Sequence, residues 1–182
     1  MQRTGALLIV LLSIAGLSWW LKQSETQSAA VSSDANPRPD FFLNDFSIRQ
    51  FSSEGALKYQ IRGVRLTHFP EDDRSVIEQP LINLDESGGA QWQINASKAV
   101  AGNEENDEVW LQGEVKITQT HTENPTVLNT DQLLLKPGAK IARSDNTVTI
   151  HQADATTVAA SLDANLNHGQ FELTEVRSRY EP

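Results

Sequence analysis

The residues able to do chemistry in this chain are few and scattered. His68, His121, His151 and His168 lie far apart, and no pair has the spacing that would put two ring nitrogens on one helix face. No carboxylate recurs beside any of them in a metal-ligand pattern. Two acidic runs, Glu71-Asp72-Asp73 and Glu104-Glu105-Asn106-Asp107-Glu108, lack the alternating ligands, central glycine and terminal glutamate of a calcium loop. Both are expected to be solvated loops. The chain has no cysteine, which removes thiolate ligands, thiol nucleophiles, disulfides and a lipid-modified cysteine anchor. There is no nucleophile elbow, phosphate-binding glycine loop or HExxH helix. The expectation is a protein without catalytic residues, metal or cofactor, whose work is binding. A net charge of −9 disfavours nucleic acid, because phosphate backbones attract basic surfaces. An anionic ligand could be held only through a few placed Lys or Arg.

What remains as a site is an interior, and the elements that would enclose it are strands. Leu57, Tyr59 and Ile61 alternate with Lys58, Gln60 and Arg62. The same period of two recurs at Trp92-Ile94-Ala96, Val115-Ile117 and Val148-Ile150. Turn residues separate these runs at Ser53-Glu54-Gly55, Ser87-Gly88-Gly89, Gly102-Asn103, Pro137-Gly138, Ser144-Asp145-Asn146 and Asn167-His168-Gly169. No later segment carries a helical apolar stripe, so the expectation is an all-β sandwich or roll. Weak repetition supports it. Ala96-Ser97-Lys98, Thr130-Asp131-Gln132 and Ala160-Ser161-Leu162 each lead to a later strand, at Gly113, Asn146 and Thr174. These units are expected to be strand pairs of roughly 30 residues stacked in an array. An array of this kind has open edges at its first and last strands, which invite pairing with another protein's strand. An ordinary packed core and an open, ligand-holding interior remain equally compatible with such a pattern.

The first residues have a different composition. Thr4 to Leu21 carries no charge and centres on Leu7, Leu8, Ile9, Val10, Leu11 and Leu12. As a helix it would span about 27 Å, close to a hydrocarbon core of about 30 Å. Trp19 and Trp20 at its far end suit a membrane–water boundary. Arg3 before the span favours a cytoplasmic N-terminus, a bias that Lys22 weakens. The competing expectation is a cleaved signal peptide, with small residues at Ser28-Ala29-Ala30. Residues 1–22 are therefore assigned to a cytoplasmic tip and membrane anchor, 23–40 to a flexible linker rich in Ser, Ala, Thr, Gln, Asn and Pro, and 41–182 to one β domain.

Several segments also resemble, in order and spacing, a known family. Ser53-Glu54-Gly55-Ala56-Leu57-Lys58-Tyr59 is similar to the Pro/Ser-Glu-Gly-Ala-Leu-x-Tyr stretch of the LptC family, the membrane-anchored component of bacterial lipopolysaccharide export. Gln79-Pro80, Trp92 through Ala96-Ser97-Lys98-Ala99, Leu111-Gln112-Gly113-Glu114-Val115, Thr130-Asp131 and Val176-Arg177-Ser178-Arg179-Tyr180-Glu181 follow in the family's order. The resemblance implies an OstA-like β-jellyroll of antiparallel strands in two sheets, lying in the periplasm after one transmembrane helix in the inner membrane. It implies no enzyme activity. Lipopolysaccharide would be received from an inner-membrane ABC transporter and passed to a soluble periplasmic bridge protein of the same fold, with acyl chains held between the sheets and the sugars outside. The anchor would pack beside the transporter's transmembrane helices.

Candidate site residues come from the alternating sheet faces and, for Ile77 and Tyr180, from the resemblance as well. The lipid-facing set is Tyr59, Phe69, Ile77, Trp92, Ile94, Leu111, Ile150, Phe171 and Tyr180. Among these, Ile77 stands where relatives can carry an aromatic, and Tyr180 matches an aromatic at the C-terminal edge. The partner edges are expected at Phe46 and Ile48 for the transporter's periplasmic β-domain, and at Val176, Arg177 and Tyr180 for the bridge protein. Gly55 matches a turn glycine. Gln152 stands where the family can have glycine, so no role of that glycine carries over. Trp92 and Trp110 are expected on opposite faces.

Overall fold

The computed structural model describes residues 38–84, 91–102 and 107–180. The expected anchor residues Leu7 to Leu12, Trp19 and Trp20, and the linker up to residue 37, lie outside them. No helix among the described residues is long and apolar enough to cross a membrane. Every regular element among the described residues is a strand: β1 (Phe41–Phe51), β2 (Leu57–Phe69), β3 (Arg74–Glu78), β4 (Leu81–Leu84), β5 (Gln91–Asn95), β6 (Lys98–Ala101), β7 (Val109–Thr120), β8 (Val127–Lys136), β9 (Ile141–Ser144), β10 (Val148–Gln152), β11 (Ala155–Ala159), β12 (Ser161–Asn165), β13 (Gln170–Thr174) and β14 (Arg177–Tyr180). The four runs of period two noted above lie in strands, except that Ala96 falls just beyond β5.

All fourteen strands join one antiparallel network, yet the register resolves it into two sheets. β2 pairs with β4 through Tyr59–Arg62 and with β3 through Arg65–Phe69. β7 pairs with β6 through Val109–Gln112 and with β5 through Lys116–Thr120. Sheet I runs from the start of β1 through the end of β2, then β3, β6, the start of β7, the end of β8, β9, β12 and β13. Sheet II runs from the end of β1 through the start of β2, then β4, β5, the end of β7, the start of β8, β10, β11 and β14. The four long strands belong to both sheets.

Each pass of the chain therefore bends once, and the bends form a ridge. In β7 the bend is a bulge at Gly113 (φ 74°) and Glu114 (φ 51°), where the pairing with β8 shifts register. A left-handed residue in a strand turns it sharply at the cost of one ladder pair. Asp45, Gln79 and Glu175 bend their passes with positive φ as well. Hydrogen bonds between neighbouring bends replace the lost ladder: Gln79 N–H to Ser97 O at 3.0 Å, Ser97 N–H to Gly113 O at 2.8 Å, and Ala160 N–H to Thr174 O at 2.8 Å. The buried Ser144 hydroxyl donates to Gln132 O at 2.7 Å and lies 3.1 Å from Thr130 Oγ1. This corrects the expected strand-pair repeat. Ala96-Ser97-Lys98, Thr130-Asp131-Gln132 and Ala160-Ser161-Leu162 are bends, so what repeats is the ridge. Ser144-Asp145-Asn146 is likewise a bend and not a hairpin turn.

The core lies between the sheets. One ladder crosses sheet II as Ile48, Ile61, Ile82, Ile94, Ile117, Leu128 and Ile150. Facing it, Leu43, Leu66, Ile77, Ala99, Leu111 and Leu133 cross sheet I. Apart from the edge residues Leu43 and Ile48, they form one buried cluster. Gly63 sits where sheets and ridge converge. A Cβ there would lie 2.7 Å from Ile77 Cγ2 and 2.8 Å from Phe46 Cε1, so only glycine lets these two side chains close over β2.

Candidate functional site

The expected lipid-facing residues separate into three groups. Ile77, Trp92, Ile94, Leu111 and Ile150 point inward and are buried, none more than 8% exposed. Tyr59 and Phe171 are partly buried against the same core. Phe69 departs from expectation: its alternation with the inward Leu66 puts it on the outer face with Thr67, where Arg74 lies over its ring at 4.9 Å. Tyr180 is placed by register alone, opposite Ala155 on the last strand of sheet II. Trp92 and Trp110 do lie on opposite faces, Trp92 2% and Trp110 47% exposed.

On the side away from the ridge, the turn ends of the two sheets meet, and two polar contacts join them. Trp92 on sheet II donates its indole N–H to Leu166 O beyond β12 at 3.0 Å and meets Phe171 edge-on at 6.0 Å. The Tyr59 hydroxyl hydrogen-bonds the Asp107 carboxylate; burial, then that negative charge, hold the phenol above its ordinary range. Asp107 also accepts the Gly138 N–H at 2.8 Å, tying itself to the turn after β8. Around this contact lies a cleft of about 480 Å³, lined by Gln50, Lys58, Tyr59, Ile61, Val109 and Pro137 among others. Its size falls in the range of small-molecule sites, about 300–1,000 Å³. Here the inward ladder, at Ile61, borders a sizeable opening.

Beside the N-terminal end of the interior, His68 bridges two carboxylates. Its Nδ1 is 2.7 Å from Asp40 and its Nε2 3.2 Å from Asp73. Hydrogen bonding to Asp40, then to Asp73, raises the imidazole pKa, and the same contact lowers that of Asp40. Phe41 stacks on the ring at 4.8 Å. The cluster pins the first residues of β1. Among the described residues no group of His, Asp and Glu could hold a metal ion.

Among the described residues the domain ends in edge strands, each with one hydrogen-bonded neighbour. β1 pairs only with β2, so Phe46 and Ile48 do lie on an edge strand, although Phe46 turns its ring into the core. At the other end β13 closes sheet I and β14 closes sheet II. Arg177 and Tyr180 are on β14 and Val176 is just before it, 48% exposed.

The outer face of sheet II is visible only once the register is known. One row runs Ser47, Arg62, Leu81, Asn95, Lys116, Asn129, Thr149, Val158, Arg177. The next runs Arg49, Gln60, Asn83, Gln93, Thr118, Val127, His151, Thr156, Arg179. Neither row contains a carboxylate.

Comparison with known proteins identifies the architecture. The profile of the family described as "Lipopolysaccharide-assembly, LptC-related" matches residues 7–181. The chain belongs to the LptC family. No curated protein matches it by sequence. Among solved structures it is similar to LptH of Pseudomonas aeruginosa, described as the LptA homologous periplasmic component of the lipopolysaccharide transport device. The TM-score is 0.54 at 7% identity, covering 68% of this chain and 95% of that one. The likeness is one of fold: both are antiparallel jellyrolls of the LptA type. Family membership associates the chain with lipopolysaccharide assembly.

Proposed function

We propose that this protein is a membrane-anchored conduit. It takes lipopolysaccharide from an inner-membrane ABC transporter and hands it to a soluble periplasmic bridge protein, holding the acyl chains between sheets I and II. The observation that carries this reading is the continuous apolar ladder from Ile48 on the first strand to Ile150 near the last. It opens toward the cleft beside Tyr59 and Ile61. Acyl chains crossing water would cost about 0.8 kcal/mol per CH₂, so an apolar path lowers the barrier without catalysis. The anchor at residues 1–22, with its N-terminus in the cytoplasm, and the linker at 23–40 supply attachment. The β1 edge would meet the transporter's own β-domain, and the β14 edge the bridge protein, each by strand addition.

A second reading has an observation in its favour. Ile82, Ile94, Leu111, Leu135 and Val148 are 0% exposed, so the interior is filled. A filled interior suits a scaffold that only joins partners. As a conduit, the domain must part at its turn ends to admit an acyl chain. Photo-crosslinkers at the inward Ile61 and Ile77, in membranes actively exporting lipopolysaccharide, separate the two. Capture of lipopolysaccharide at both supports the conduit; no capture, with both partners still bound, leaves the scaffold.

A further inference from the structure

The outer face of sheet II has a charge opposite to that of the whole protein. The chain carries 24 Asp and Glu against 15 Lys and Arg. Yet the outward residues of this sheet include Arg49, Lys58, Arg62, Lys116, Arg177 and Arg179, and neither register row holds an Asp or Glu; the strand acids on this side, Glu114 of β7 and Asp131 of β8, stand at the bends and share a surface hollow with Lys116. All six cations are exposed, and none forms an ion pair with a described carboxylate. The acids stand at the borders. Asp45, Glu114, Asp131, Asp145 and Glu175 lie along the ridge, and Glu54, Glu123 and Asp154 lie in the turns at the other end. The result is a positive strip with acidic margins, crossing nine strands in the same direction as the apolar ladder on the sheet's other side.

We propose that this strip receives the phosphorylated sugar portion of the amphipathic ligand whose acyl chains the interior holds, an assignment that rests on the reading given above. Three features favour this occupant. Arg62, Lys116 and Arg177 share one register row, three and four strand steps apart, or about 14 and 19 Å at the usual strand spacing. Cations spaced so widely suit an extended ligand with several anionic groups better than one compact anion. Between them the floor is mostly amide and hydroxyl, broken by Leu81, Val127 and Val158, and includes Gln93 hydrogen-bonded to Asn83 at 3.3 Å and Gln60 to Ser47 at 2.8 Å. Such groups bond to sugar hydroxyls, whereas the aromatic anchors that protein interfaces and membrane-inserting faces use are missing from both rows. Finally, Lys58 and Gln50 line the cleft beside Tyr59, and Lys58 is also outward on sheet II, so the opening to the interior and the positive strip share a rim.

The test uses the full chain in nanodiscs of zwitterionic lipid. Its probe is a lipid-free, phosphorylated core oligosaccharide released from lipopolysaccharide, with a phosphatase-treated sample beside it. Wild type is expected to bind the phosphorylated probe, more weakly as salt rises, and the treated probe at least tenfold less well. The exposed triple variant Arg62→Gln/Lys116→Gln/Arg177→Gln is expected to lose about tenfold in affinity while its unfolding midpoint holds. Absence of binding by wild type, equal binding of the treated probe, or an unchanged variant would each overturn the proposal. So would a dimer abolished by the triple variant, which assigns the strip to the acidic ridge of a second copy, or selective binding to anionic phospholipid vesicles. Crosslinking at Ile61 and Ile77 keeps the two readings apart. Acyl capture without oligosaccharide binding removes the strip and leaves the conduit; oligosaccharide binding without acyl capture does the reverse.

Discussion

Gly63 is the residue with least freedom in the domain. Adding one methyl would press Ile77 and Phe46 at 2.7 and 2.8 Å. Gly63→Ala is expected to cost about 1–3 kcal/mol, as overpacking of a close-packed core does, measurable as a lower urea midpoint with an unchanged slope. His68 makes a second prediction at this scale. Its raised pKa means its contribution to pinning β1 is present below the ordinary value of 6.5 and fades as pH rises through the folded value. Asp40, lowered, contributes above 3.8 and fades as pH falls through its folded value. The start of β1 should therefore be best protected in amide exchange between about 3.8 and 6.5. An NMR titration should place His68 above 6.5, and Asp40→Asn should bring it down; a titration unmoved by that change would refute the bridge. Legibility at this scale was uneven. Trp92 was readable as inward because its neighbours alternate cleanly. Phe69 was not, because it is the last residue of its strand and only the pairing Leu66 with Ile77 shows which parity faces in. Gly63 gave no signal, since the need for glycine comes from side chains 17 positions before and 14 after it.

Among elements, the edges and bends carry the consequences. Among the described residues β14 has one hydrogen-bonded neighbour, β11, which leaves its far side as the edge at which a strand could be added. Proline removes a donor and is tolerated only where that donor faces solvent. Val176→Pro is expected to weaken co-purification of the bridge protein while leaving the transporter bound; equal retention of both would count against docking at this edge. The strands were legible from period two, but the bends were not. Thr130-Asp131 and Ala160-Ser161 have the composition of ordinary turns, and a reader of sequence assigns hairpins to them. Only the change of partner between the halves of β2, β7 and β8 shows that the chain passes from one sheet to the other there.

For the whole molecule, burial along the sheet II ladder rises and falls. Exposure is 41% at Ile48 and 8% at Ile61, between 0 and 1% from Ile82 to Leu128, and 8% again at Ile150. Truncation to alanine should follow that profile: about 2–5 kcal/mol at Ile94 or Ile117, and well under that at Ile48. A flat profile across the series would show that the interior is not close-packed at its centre. The charge division between sheet II and the ridge is a property of this same scale. It was invisible in a chain of net charge −9, because only the strand register shows that the cations fall in rows across the sheet while the carboxylates near them in sequence fall at its margins.

The ridge has a mechanical consequence. Because β1, β2, β7 and β8 run through both sheets, sliding one sheet past the other would tear ladders at four places. Swinging the turn ends apart would tear no ladder; it would break side-chain contacts such as Trp92–Leu166 and Tyr59–Asp107 and the packing beneath them. The body is thus stiff in shear and compliant in splay. Neighbours joined in line to its edge strands would keep their alignment while the gap between the sheets widened and narrowed around a passing load.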